Sequence, residues 1–313
     1  MTTFVLAVDH RNSLRKWLGS LGVSAAEIDP AARRLKTTCV EALTLAREEL
    51  QADETPMLLL DEEYGADAIP LAKERGLKIV IPVERSGQAE FIFEHGDRFR
   101  EAIEAVNPDA IKALVRYNVD GDAEVNQRSL AQLVVLQAYL GDSGRDFMLE
   151  LLVPPTAEQQ AGISADQFDE QIRPSLTARA IRELAAAGLR PDWWKLEGNR
   201  DRSAAAAVAA AASQTSEVGC LVLGRGQDRD SVVRWVQTAA AVGSFVGFAV
   251  GRTLWTDPFQ AVVAGEIEER EAAKRIAGSY LDIAAAYRLA QPANVGPETD
   301  RNQQVDVGGG VAK

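Results

Sequence analysis

Asp192-Trp193-Trp194-Lys195-Leu196-Glu197-Gly198 lies between two alanine-rich segments of helical character, the second covering residues 203–212, and so reads as a short strand between helices. A strand in that setting is covered on both faces and should be apolar throughout. Here a lysine stands in its middle, with a carboxylate two residues on. Side chains two apart in a strand share a face, so Trp193, Lys195 and Glu197 point the same way. An amine held among apolar groups binds its proton less tightly and becomes a nucleophile toward carbonyls.

Outward from this stretch, apolar runs recur at residues 4–8, 57–60, 78–83, 110–116, 147–153, 219–223 and 245–250. Between them come a helix of mixed character after the first run and helical patterns over 30–50, up to Gly76, over 97–106 and over 123–140. Others run from Pro174 to near Gly188 and over 203–212 and 228–241, and a terminal helix covers 266–289. Eight strands alternating with helices over about 290 residues predict a single α/β domain, a (β/α)8 TIM barrel, over residues 1–290. A doubly wound sheet fits less well, because no G-x-G-x-x-G turn follows the first strand. Residues 291–313 are polar and glycine-rich and are expected to form a disordered tail.

The chain has 313 residues, 46% of them hydrophobic, ample for a full core. A net charge of −12 argues against nucleic acid or an anionic membrane as partner. Cys39 and Cys220, each in an apolar run, read as buried thiols in a reducing compartment, and with only two histidines no metal site is expected. No apolar run reaches the roughly 20 residues that span a bilayer, and the N-terminus lacks the basic and small-residue marks of a signal peptide. These features predict a cytoplasmic protein, with homo-oligomerisation left open.

Polar residues fall in a telling place. Asp9, Asp61, Glu84, Arg225 and Arg252 come at or just past the C-terminal ends of apolar runs, the end of a barrel that surrounds its active site. Lys112, Glu150 and Lys195 stand inside the fourth, fifth and sixth runs, which neighbour one another in a barrel. Their plain reading is a structural ion-pair cluster, since an unpaired buried charge is expensive. Their functional reading is Schiff-base chemistry. A lysine attacks a ketone, the imine becomes an electron sink, and Glu150 carries protons. Strand spacing alone leaves Lys112 and Lys195 both open as the nucleophile.

Gly224-Arg225-Gly226 and Gly251-Arg252-Thr253 end the last two strands, where barrels often bind phosphate through backbone N–H groups and arginine. Glu84-Arg85-Ser86-Gly87 reads equally as a ligand contact or a helix cap. Asp9 and Asp61 suit sugar hydroxyls or ordinary N-caps, and His10, beside Arg11, suits proton donation. Trp193, Trp194, Trp235 and Trp255 read as packing residues.

The set of motifs resembles the class I, tagatose-bisphosphate-aldolase-like barrels of bacteria, and within them the aldolase-like domain found fused to a sugar kinase in inositol catabolism. Carrying the resemblance are Leu6-Ala7-Val8-Asp9-His10-Arg11, Leu60-Asp61-Glu62-Glu63-Tyr64-Gly65 and Val83-Glu84-Arg85-Ser86-Gly87-Gln88. It continues through Leu114-Val115-Arg116-Tyr117-Asn118, Glu150-Leu151-Leu152-Val153-Pro154, Trp194-Lys195-Leu196-Glu197-Gly198, Leu223-Gly224-Arg225-Gly226 and Gly247-Phe248-Ala249-Val250-Gly251-Arg252-Thr253. Here the segment is read as standing alone, without a kinase half. The resemblance implies a Schiff-base lysine at Lys195, a proton-transfer glutamate at Glu150, a second lysine at Lys112 and hydroxyl contacts from the Asp9 turn. It implies substrate contacts at His10, Arg11, Asp61, Glu84, Arg85, Ser86, Arg116 and Glu197, and an anion seat at Gly224, Arg225, Gly226, Gly251 and Arg252.

The activity implied is metal- and cofactor-independent cleavage of 2-deoxy-5-keto-gluconate 6-phosphate to dihydroxyacetone phosphate and malonate semialdehyde. Tagatose or fructose phosphates and sulfonated ketoses are alternative substrates for an aldolase or a transaldolase. A sugar-phosphate-binding regulator without turnover is the non-enzymatic alternative.

Overall fold

The computed structural model describes residues 1–216 and 219–292. Eight parallel strands close into a barrel in chain order. They are β1 (Thr2–Ala7), β2 (Glu54–Leu59), β3 (Lys78–Pro82), β4 (Ala110–Arg116), β5 (Asp146–Leu152), β6 (Trp193–Glu197), β7 (Gly219–Leu223) and β8 (Phe245–Val250). The last seam joins β1 to β8, with Phe4 opposite Phe248 and Leu6 opposite Val250. The (β/α)8 barrel read from the sequence is the fold observed; β4, β7 and β8 have the bounds read, and the ends of the other strands lie within three residues of them.

Period-two alternation divides each strand between two cores. Outward residues such as Leu58, Leu149 and Trp194 pack under the helices. Inward, every strand contributes to an apolar floor: Val5 and Ala7 from β1, Met57 and Leu59 from β2, then Val80, Ala110, Met148, Trp193, Leu221 and Ala249. Two residues further along β4, β5 and β6 the same face carries Lys112, Glu150 and Lys195, all buried. The charged layer therefore rests directly on the apolar floor. Both cysteines are buried and unbridged, and burial pushes each thiol up to about 12.

Differences from the sequence reading concern helices. The pattern at 30–50 is the helix Ile28–Arg47, and the terminal helix is Glu269–Ala290. Between β8 and that helix lies another, Arg252–Val263, which the sequence reading omitted because Pro258 stands inside it. A π-helical turn, Phe168–Ile172, precedes the helix Arg173–Ala186. No helix among the described residues is long and apolar enough to cross a membrane. The expected tail beyond residue 292 lies outside the described residues.

Candidate active site

A cleft of about 630 Å³ opens at the C-terminal ends of the strands, and every strand except β2 leads into its wall. At its base the register sets Glu150 directly beside Lys195, and Leu114 beside Glu150. One oxygen, Glu150 Oε2, accepts a hydrogen bond from Lys195 Nζ at 2.9 Å and forms an ion pair with Lys112 Nζ, also at 2.9 Å. The two amines then differ sharply. Lys112 donates to Asp9 Oδ2 at 2.9 Å and Glu84 Oε1 at 2.6 Å, so with Glu150 it is paired with three carboxylates. Lys195 has Glu150 as its one partner among the described residues.

Burial works against charge at Lys112, but Asp9, Glu150 and Glu84 outweigh it and hold that amine well above its ordinary range. Burial raises Asp9 and Glu150, yet the two neighbouring lysines prevail and leave both carboxyls below their usual values. Glu84 goes the other way. Burial, aided by the charge on Asp9, lifts its carboxyl despite Lys112 and Arg11. Its second oxygen accepts from Leu114 N–H at 3.2 Å. Glu84, expected at the ligand, is thus spent largely on Lys112.

The other expected residues divide into groups. Arg11 donates to Glu84 O at 2.6 Å and Glu94 Oε2 at 2.8 Å, so it braces the loop 84–94. Arg85 and Arg116 line the cleft and bond only main-chain oxygens, Glu94 O at 3.3 Å and Gln88 O at 2.8 Å. Ser86 also lines it and accepts from Asn12 through its carbonyl at 3.5 Å. The His10 ring stands edge-on to Trp255 at 5.3 Å, and its Nδ1 has no hydrogen-bond partner among the described residues. Burial drives its pKa down to about 3, against the pull of Asp9, so the ring is neutral at ordinary pH. A neutral imidazole is a poor source of the proton that the sequence reading gave it.

Two expectations change. Asp61 lies off the cleft, buried and salt-bridged to Lys36, with Oδ1 accepting from Tyr64 N–H at 2.9 Å. Glu197, expected at the substrate, lines the cleft but accepts from Val153 N–H at 3.0 Å and pairs with Arg225 Nε at 3.1 Å.

The stretch expected to seat an anion is built largely of backbone. Gly226 has φ +69°, and a Cβ there would lie 2.4 Å from Arg252 Cζ, so only glycine lets that guanidinium lie across the turn. Arg252 donates to Arg225 O at 3.0 Å and has no carboxylate partner among the described residues. At Gly251 a Cβ would meet Ala7 O at 2.3 Å. The helix Arg252–Val263 starts there without a side-chain cap, which leaves first-turn N–H groups for an anion at the cleft wall. Gly224 completes this wall, whereas Arg225 is tied to Glu197 and to Asp169 at 2.7 Å.

Residues 1–291 match the family model described as "Uncharacterized protein conserved in bacteria (DUF2090)". The chain belongs to this family. No curated protein matches it in sequence. Among solved structures it is similar to a fructose-bisphosphate aldolase from Plasmodium falciparum, at 13% identity and TM-score 0.61, covering 91% of this chain and 89% of that one. A Schiff-base-forming fructose-1,6-bisphosphate aldolase gives 12% identity and TM-score 0.55, covering 90% and 94%. An archaeal fructose-1,6-bisphosphate aldolase with its catalytic lysine bound to the carbinolamine intermediate gives 13% and 0.54, covering 91% and 94%. At such identities the likeness is one of fold.

This DUF2090 chain also places residues in the cleft that sequence reasoning missed. Arg173 is buried, lies 3.6 Å from Glu197 and pairs with Asp169. Burial lowers it to about 10, with Arg225 adding to the effect and Glu197 opposing it. Nothing in Ile172-Arg173-Pro174 separates it from a surface arginine at a helix start. Outside the cleft lining, Glu94, the partner of Arg11, was missed as well, in a loop with no periodicity to read.

Proposed function

We propose that the protein is a metal-independent class I aldolase in which Lys195 forms a Schiff base with a phosphorylated keto-sugar. The supporting observation is the unequal pairing of the two lysines. Lys112, ion-paired with three carboxylates, keeps its proton, whereas Lys195 shares one carboxylate oxygen and opens on the cleft.

In this reading Lys195 passes a proton to Glu150 and its amine adds to the substrate ketone, giving a carbinolamine. Glu150 returns that proton to the carbinolamine hydroxyl, which leaves as water, and a protonated imine remains beside the ionised Glu150. The neighbouring carbon–carbon bond then breaks, and its electron pair enters the imine to form an enamine. The hydroxyl on the departing carbon gives its proton to Glu150 as that carbon becomes an aldehyde. Glu150 returns a proton to the enamine carbon, and water hydrolyses the imine to free the ketone product. Lys112 stays charged throughout and holds Asp9 and Glu150 in place, with Asp9 on the substrate hydroxyls.

The arginines support the choice of substrate class. Of the cleft arginines, Arg11, Arg173 and Arg225 are paired with carboxylates, while Arg85, Arg116 and Arg252 bond only main-chain oxygens among the described residues. Arg252 follows β8 and Arg116 ends β4, opposite positions in a barrel closed in chain order. A substrate anionic at both ends suits them. One such compound is 2-deoxy-5-keto-gluconate 6-phosphate, with its phosphate at Gly226, Gly251 and Arg252 and its carboxylate toward Arg116.

Borohydride added with dihydroxyacetone phosphate tests the reading. Peptide mass spectrometry should find the reduced adduct on Lys195. An adduct on Lys112, no adduct, or loss of cleavage on adding EDTA would overturn it.

A further inference from the structure

A second buried ion pair lies outside the cleft, and the mechanism above makes no use of it. Lys36 sits on the inner face of the helix Ile28–Arg47 and Asp61 just past β2; both are buried. An ammonium has three protons, and Lys36 sends them to Asp61 Oδ2, to Val8 O and to His10 O, the last at 3.0 Å. Those two carbonyls flank Asp9 on either side. The preceding carbonyl, Ala7 O, accepts from Trp255 Nε1 at 3.1 Å. The backbone around Asp9 is therefore pinned from outside the barrel, while its carboxylate meets Lys112 inside it.

Stability is a weak reason for such a pair, because desolvating two charges costs about as much as their attraction returns. Geometry is a better one. Two hydrogen bonds from one rigidly packed amine, itself held by Asp61, fix a turn that no regular ladder holds. We propose that Lys36, oriented by Asp61, is a positioning residue for Asp9. By fixing the carbonyls on both sides it aims the Asp9 carboxylate at Lys112, and so sets the chain of contacts through Glu150 to Lys195. The chemical meaning of that chain rests on the Schiff-base reading above.

The test replaces the pair with Lys36→Met and Asp61→Leu together. An apolar pair of similar volume keeps the core filled, which thermal unfolding checks, but leaves the Val8 and His10 carbonyls without their donor. The readout is labelling of Lys195 by dihydroxyacetone phosphate and cyanoborohydride. The maximal rate is expected to fall about ten- to hundredfold, with the half-saturating concentration changed less than about twofold, since the Arg252 end is untouched. In an Asp9→Asn background the same replacement should cause no further loss, because contacts acting through one group are not additive.

Wild-type labelling rates in the double variant would overturn the proposal. So would losses that multiply with Asp9→Asn, or a half-saturation that moves with the rate. If the apolar pair does not fold, Lys36→Gln with Asp61→Asn keeps one donor for the carbonyls, and its coupling to Asp9→Asn decides the matter in the same way. Wild-type protein that labels nowhere fails the Schiff-base reading itself. Wild-type labelling with an unaffected variant fails the positioning role alone.

Discussion

The two halves of the barrel mouth are made from the same strand–helix unit and end in opposite electrostatic states. On the β1–β4 side, Asp9 and Glu84 converge on Lys112 with Glu150, and Arg11 spans Glu84 and Glu94. On the β5–β8 side, Glu197 and Asp169 are taken up by Arg173 and Arg225, so Lys195 keeps only Glu150. Glycines and a bare helix start line the rest of that wall. A lysine's chemistry is set by the acceptors its surroundings leave it. One amine is locked as a cation; the other stands where proton transfer to a single carboxylate can release it.

Changing the two lysines in turn gives the widest separation. Lys195→Met should abolish borohydride trapping and lower turnover on the order of 10⁴-fold or more, with little loss of stability, since Glu150 retains Lys112. Lys112→Met leaves three largely buried carboxylates short of their cation and should cost about 3–5 kcal/mol in urea unfolding. If the variants exchange these phenotypes, the assignment of nucleophile is reversed.

Glu150 joins the halves, and Glu150→Gln should lower kcat by roughly 10²–10⁴-fold, measurable by stopped-flow release of the aldehyde product. The Arg252→Ala variant tests the open half alone. Loss of a charged hydrogen-bond donor to an anion is worth about 1.5–3 kcal/mol, so KM should rise about ten- to hundredfold with kcat nearly unchanged. A fall in kcat with constant KM would place Arg252 at the reacting bond instead.

The smallest effect concerns pH. Burial holds His10 neutral down to about 3, against 6.5 for an exposed ring. The unfolded chain therefore takes up the proton first, and stability present above about pH 6.5 is lost as pH falls toward 3. His10→Gln should flatten the wild-type decline in Tm between pH 6.5 and 4. An unchanged slope would show that the carboxylates alone carry the acid response.

Legibility followed how far each residue broke its local pattern. Lys112, Glu150 and Lys195 stood out because a charge inside an apolar strand violates the pattern of its segment, and Asp9 because it ended one. Glu84 was visible but its partner was not. Strand-end position says that a carboxylate faces the mouth, not that a lysine on the next strand will take it. Lys36 left no mark, since lysines are common on helices and only tertiary packing turns its face inward. Its invisibility also hid the partner of Asp61. The helix Arg252–Val263 was masked by Pro258, whose lost hydrogen bond counts heavily in a sequence and less in a helix that packs Leu254, Trp255 and Phe259.

The seam between β1 and β8 carries a cost that the finished barrel hides. Tyr280 and Tyr287, on the helix Glu269–Ala290, donate to Phe4 O at 2.8 Å and Phe245 O at 2.7 Å, so the closing latch comes from the last described helix. During synthesis from the N-terminus, β1 must wait for more than 240 residues with one edge unpaired before its neighbour leaves the ribosome. Asp9, at the end of β1, stays apart from the Arg252 turn for the same interval. Activity is thus the last property the nascent chain acquires, and the open edge of β1 is where a holding chaperone would have most to protect.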